Sequence, residues 1–133
     1  MQLINARPPM YDEIASVFDV RGKPVLFAWG NIIYCPVPCP LPSHLLKHEE
    51  VHGRRQISTG IENWWKRYLD DAQFRLDEEK LGHRAEYEWL TRNANRADKR
   101  RHLSHVAGRL SAALYRYSIT KDEARRYLEN GNG

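Results

Sequence analysis

The chain has 133 residues, of which 41% are apolar, 11% aromatic and 29% charged, with a formal net charge of +4. That composition suits one water-soluble domain with a core of its own and excludes a disordered or low-complexity polymer. No apolar run approaches the roughly 20 residues that cross a bilayer, so a membrane partner is not expected.

The opening segment "MQLINARPPMYDE" lacks the basic-then-apolar order of a secretory signal, which points to the cytoplasm. Residues 1–13 read as irregular. Next, "IASVFDV" and "PVLFAW" flank "RGK", and "PVLFAW" and "IIYC" flank "GN". Those patterns predict an antiparallel meander of about three strands between residues 14 and 35. Pro36, Pro38, Pro40 and Pro42 then hold the chain extended as it leaves the sheet. Cys35 and Cys39 lie in that segment, and with no second cysteine pair to complete a four-thiolate site they read as reduced thiols.

From Ser43 onward the pattern is helical. Ser43 is placed as the N-cap of a helix running to about Gln56. "IENWWKRYL" predicts a second helix, and a third is expected to start after Gly82 and run through "HRAEYEWLTRNANRADK". "LSHVAGRLSAALYRY" predicts a fourth, with Leu103, Val106, Ala107, Leu110, Leu114 and Tyr117 on one stripe. The last opens on "TKDE", a capping box with Thr120 as cap and Glu123 reaching back, and residues 129–133 fray. The expected class is α+β: a small N-terminal antiparallel sheet, then four to five helices, in a single domain over residues 1–133.

The chemistry sits in "HEEVH", where His48, Glu49 and His52 spell His-Glu-x-x-His. Histidines four apart share a helix face, so both imidazoles can reach one metal ion while the carboxylate between them contacts a water without ligating. The pentapeptide arises by chance often enough to need context, and the helical wheel supplies it. Leu45, His48, Glu49, His52 and Gln56 share one arc, while Lys47, Glu50 and Arg54 occupy the other, with Glu50 and Arg54 spaced as an ion pair. Gly53 on the inner side allows a neighbouring helix to approach closely.

A catalytic zinc takes a third protein ligand and leaves one position open. On the third helix Leu90, Asn93, Ala94 and Ala97 define an inward stripe, and Glu86 lies in its middle with His83 at its edge. A buried carboxylate needs a partner, so Glu86 is the expected third ligand. His83 is the alternative, or a donor that orients a ligand. A salt bridge to Arg67 or Arg109 is the rival role for Glu86. His44, His102 and His105 read as structural or surface residues.

Beyond the motif, "HEEVHGRRQ", "WWKRYLDDAQFRLDEE", "HRAEYEWL" and "LYRYSITKDEARRYL" resemble the short His-Glu-x-x-His proteins of bacteriophages and prophages, in the glutamate-ligand branch of the zincins. The resemblance spans roughly residues 25–128. It implies a minimal zincin-like metallopeptidase, with His48, His52 and Glu86 as zinc ligands and Glu49 as general base for attack by a zinc-activated water. It also implies a downstream histidine or tyrosine to stabilise the oxyanion, for which Tyr115, Tyr117, His102 and His105 are the candidates. The implied partner is a peptide or protein substrate, bound beside the strand "AWGNIIYC", and the site of action is the host cytoplasm or the virion. In larger relatives an aspartate stands four residues after the ligand glutamate, where this chain has Leu90.

Two other readings compete. One is a non-catalytic zinc protein of a phage particle or its assembly, held together by the metal. The other is a basic nucleic-acid-binding helical domain, disfavoured because Arg100 and Arg101 drift off the face of Arg92 and Arg96 and Asp98 interrupts them.

Overall fold

The structure, a computed structural model, describes residues 1–38, 40–110 and 119–130, with residues 108–110 described by backbone alone. Three short strands are β1 (Gln2–Ile4), β2 (Phe27–Trp29) and β3 (Ile32–Tyr34). Helix α1 (Tyr11–Val17) lies between β1 and β2. The helices after the sheet are α2 (Ser43–Thr59), α3 (Ile61–Asp70), α4 (Ala72–Asn93), α5 (Arg96–Leu110) and α6 (Lys121–Asn130). The class is α+β. No helix among the described residues is long and apolar enough to cross a membrane.

The sheet differs from the predicted meander. β2 and β3 form the expected antiparallel hairpin across Gly30 and Asn31, with Trp29 opposite Ile32. The third strand comes from the segment read as irregular: β1 pairs in parallel with β3, giving the mixed order β1-β3-β2. Most of "IASVFDV" is helical instead. Met10 adopts a left-handed conformation (φ 62°) that turns the chain into α1, and Asp12 and Glu13 favour the positive end of the helix dipole. Tyr11 and Ile14 are its buried face, with Tyr11 edge-on to Phe27 at 6.0 Å.

Two contacts dock α2 on the sheet. Gln56, fully buried, accepts from the Gly30 N–H (2.7 Å) and donates to the Ala28 carbonyl (2.9 Å). Gly53 does permit a close approach, but by the hairpin rather than by a helix: a Cβ there would lie 2.2 Å from the Gly30 carbonyl oxygen. Ser43 is the first residue of α2, and Pro42 stands at the cap position without a side-chain cap bond.

Gly60, at φ 93°, breaks the chain between α2 and α3. Helix α3 buries Trp64 and Trp65 against Tyr11, Ile14, Val20 and Phe27. Asp71 caps α4 by accepting from the backbone of Gln73 and Phe74. Helix α4 starts at Ala72, eleven residues before the predicted start at His83 (83 − 72), and runs unbroken through Gly82. A second core joins Leu76 of α4 to Leu103, Val106 and Ala107 of α5 and to Ala124, Tyr127 and Leu128 of α6. The capping box at α6 forms as read: Thr120 Oγ1 accepts from Glu123 N (3.1 Å) and Glu123 Oε1 accepts from Thr120 N (3.4 Å). Leu114, Tyr115 and Tyr117 lie outside the described residues, as does the side chain of Leu110.

Candidate metal centre

Helices α2 and α4 pack along their length, and the faces they share are polar. On α2, His48 and His52 are 5% and 4% exposed. On α4, Glu79, His83 and Glu86 follow one another at helical spacing, so one stripe carries two carboxylates and an imidazole toward α2. Buried groups of this kind must find partners, and they find each other.

His48 Nε2 and His52 Nε2 stand 2.9 Å apart. The Glu79 carboxylate closes the triangle, with Oε1 2.7 Å from His52 Nε2 and Oε2 3.3 Å from His48 Nε2. The Tyr68 hydroxyl donates to Glu79 Oε1 at 3.2 Å and orients it. His83 Nε2 approaches Glu79 Oε2 to 3.7 Å.

Glu86 lies on the other side of His48. Its Oε1 accepts a hydrogen bond from His48 Nδ1 and another, at 2.8 Å, from His83 Nδ1. Its Oε2 lies 3.0 Å from His102 Nε2. Because Nδ1 of His48 faces a carboxylate, the neutral ring keeps its proton there, and Nε2, once it gives up the second proton, aims its lone pair at His52 and Glu79. His83 is set in the same tautomer. An imidazole nitrogen turned inward, beside a second imidazole and a carboxylate, is the donor chemistry of a divalent transition metal. Glu86 then supplies the carboxylate that fixes such a ligand from behind.

The sequence reading and the geometry differ over the third ligand. Glu86 comes to His48 at Nδ1 rather than to both Nε2 atoms, whereas Glu79, which the sequence reading did not single out, meets both. The groups whose ligand atoms lie within 4.8 Å of one another say the same: His48, His52 and Glu79 form one, and His48, His83 and Glu86 another. A start for the third helix after Gly82 hid Glu79. The signal that would have found it is Glu79-x3-His83-x2-Glu86, a stripe continuous with Leu76 and Leu90. Arg67 pairs instead with Asp71 at 4.0 Å.

The electrostatics are set by burial and by these contacts. Burial opposes the charge of Glu79, but His52 and His48 hold its carboxyl well below the ordinary range. Burial also opposes the charged form of His48, yet Glu79 and Glu86 raise it well above the usual histidine value. Glu86 is pulled far down, against its own burial, by His102, His48 and His83. Glu49 behaves differently: burial pushes its carboxyl up, and the neighbouring histidines only partly offset that.

A cavity of about 400 Å³ opens beside the cluster. Its lining includes His48, Glu49, His52 and Glu79 together with the Pro24–Ala28 segment, Trp64 and Trp65. In "AWGNIIYC", β3 is the central strand and only β2 is an edge. The Ala28 carbonyl of that edge already accepts from Gln56 and from Trp65 Nε1 (3.1 Å). Of the oxyanion candidates, His105 is exposed, His102 is engaged by Glu86, and Tyr115 and Tyr117 lie outside the described residues. Cys35 is buried with its thiol directed at the Val37 carbonyl (2.8 Å), and Cys39 lies outside the described residues.

Comparison with protein-family models, with curated proteins and with solved structures gives no match.

Proposed function

We propose that the protein is a zinc-dependent peptidase in which His48, His52 and Glu79 hold the ion and Glu49 is the general base. One observation carries the reading: two buried Nε2 atoms 2.9 Å apart share a carboxylate at the wall of a cavity that Glu49 also lines. The resemblance of the sequence to short phage His-Glu-x-x-His proteins agrees with it. On that resemblance the site of action is the host cytoplasm or the virion.

Bound zinc would supply a Lewis acid for the scissile carbonyl and for the attacking water. The chain's own residues do the rest. Glu49 removes a proton from the water as its oxygen attacks the carbonyl carbon, and returns it to the leaving nitrogen as the peptide bond breaks. Its burial places the carboxyl closer to neutral pH, which suits a group that must both take and give a proton. Glu86 holds His48 and His83 by Nδ1, and Tyr68 holds Glu79, so the ligand atoms stay aimed while substrate enters. The Pro24–Phe27 segment, which leads into the edge strand β2, borders the cavity and offers main chain against which a peptide can lie.

The test is Glu49→Gln. Glu49→Gln is expected to keep its zinc and to lose about 10²–10⁴-fold in peptide turnover. Full activity in that variant would refute the mechanism.

A structural zinc site is the second reading, and His83 favours it. Its Nε2, 3.7 Å from Glu79, is near enough to shift into the position a catalytic site leaves open. Under that reading chelation lowers thermal stability and no peptide is cut.

A further inference from the structure

Helix α2 carries histidines at His44, His48 and His52, each four residues after the last, so the imidazoles form a ladder on the side facing α4. Two rungs belong to the centre described above. His44 does not. Its ring lies edge to face with that of His102 on α5, with centroids 5.3 Å apart. Ligand atoms of His44, His102 and Glu86 all lie within 4.8 Å of one another.

Glu86 is divided between two clusters. Its Oε1 serves His48 and His83, and its Oε2 faces His102 Nε2 at 3.0 Å. A hydrogen bond would need only His102 and Glu86. His44 adds a third ligand atom to the same carboxylate from the opposite helix, which the hydrogen bond does not require. The carboxylate is 1% exposed, while the two histidines are partly open to solvent, so a cation has a route in and a buried anion to meet.

We propose that His44, His102 and Glu86 form a second divalent-metal site, about one helical turn along α2 from the first. Two imidazoles and one carboxylate suit zinc, cobalt or nickel rather than calcium or magnesium. With ligands that are more exposed, and with Glu86 shared, this outer site binds more weakly than the inner one. The shared carboxylate also couples the sites. A cation on Oε2 draws charge from the oxygen that orients His48 and His83, so filling the outer site weakens the inner one, and the effect is reciprocal.

The experiment is calorimetric titration of the metal-free full chain with zinc alone and with cobalt alone, following the cobalt absorption bands. The wild type is expected to show two classes of binding. His44→Gln and His102→Gln should each lose the weaker class, by about tenfold or more in affinity, and keep the tighter one. Retention of the tighter class shows that those variants are folded. His52→Ala should do the opposite, losing the tighter class and keeping the weaker. A single class in the wild type overturns the outer site, as does a weaker class that survives in both His44→Gln and His102→Gln. In either case the inner site is still judged by the response to His52→Ala.

Discussion

Gly82 lies directly against the imidazole of His48: a Cβ built on it would come within 2.7 Å of Nε2 and 2.9 Å of Cδ2 and Cε1. A glycine in the middle of a 22-residue helix costs about 0.5–1 kcal/mol relative to alanine, so its presence here has a steric reason. The ring cannot retreat freely, because Glu86 holds Nδ1 from the other side. Gly82→Ala is expected to weaken zinc binding by about tenfold or more while α4 stays helical. Competition with a chromophoric chelator measures this, and an unchanged affinity would mean that the ring is not confined.

Gln56 joins the site helix to the sheet. Replacing it with leucine leaves the buried Gly30 N–H without an acceptor, whereas the Ala28 carbonyl keeps Trp65 Nε1 as a donor. One orphaned buried donor costs about 1–3 kcal/mol. Gln56→Leu should lower the free energy of unfolding by that amount, read as a lower urea midpoint with the slope unchanged. A midpoint equal to wild type would show that α2 docks on the hairpin without this bond.

The metal-free site has a definite pH signature. Glu79 and Glu86 have depressed carboxyl values, so their contribution is present above the ordinary 4.5 and lost as pH falls through the folded values. His83 is lowered by burial and by the charge of His48, which adds to the acid-side loss below 6.5. His48 is raised, so its contribution is full below 6.5 and is lost as pH rises through its folded value. Glu49, raised by burial, gives up its contribution as pH rises above 4.5, so metal-free protein should be most stable between pH 4.5 and 6.5 and weaken on both sides. Zinc held by the Nε2 lone pair in place of the proton would remove the alkaline loss. Denaturation midpoints across this range, with and without zinc, test the claim. A metal-free profile that stays flat above pH 6.5 contradicts it.

Much of this was legible in the residues. The inward arc of α2 came from the wheel, and His48, His52 and Gln56 are its buried members. The capping box of α6 and the hairpin at Gly30 and Asn31 carry local signals that tertiary context did not override. The errors have physical causes. A seven-residue segment such as α1 is too short for its apolar spacing to separate helix from strand. The pairing of β1 with β3 is parallel and joins residues some thirty apart in sequence (Gln2 with Ile32), and nothing local announces it. Gly82 reads as punctuation because the reason for it, the ring of His48, lies 34 positions earlier (82 − 48) on another helix. That single misreading moved the start of α4 and with it concealed Glu79.

The most direct test is the zinc content of the wild type, Glu79→Gln and Glu86→Gln, measured by elemental mass spectrometry after dialysis against metal-free buffer. Near-stoichiometric zinc is expected in the wild type, with loss in Glu79→Gln and zinc retained at reduced affinity in Glu86→Gln. A wild type that carries no metal after growth in zinc-supplied medium would contradict this assignment, as would zinc that survives Glu79→Gln and disappears in Glu86→Gln.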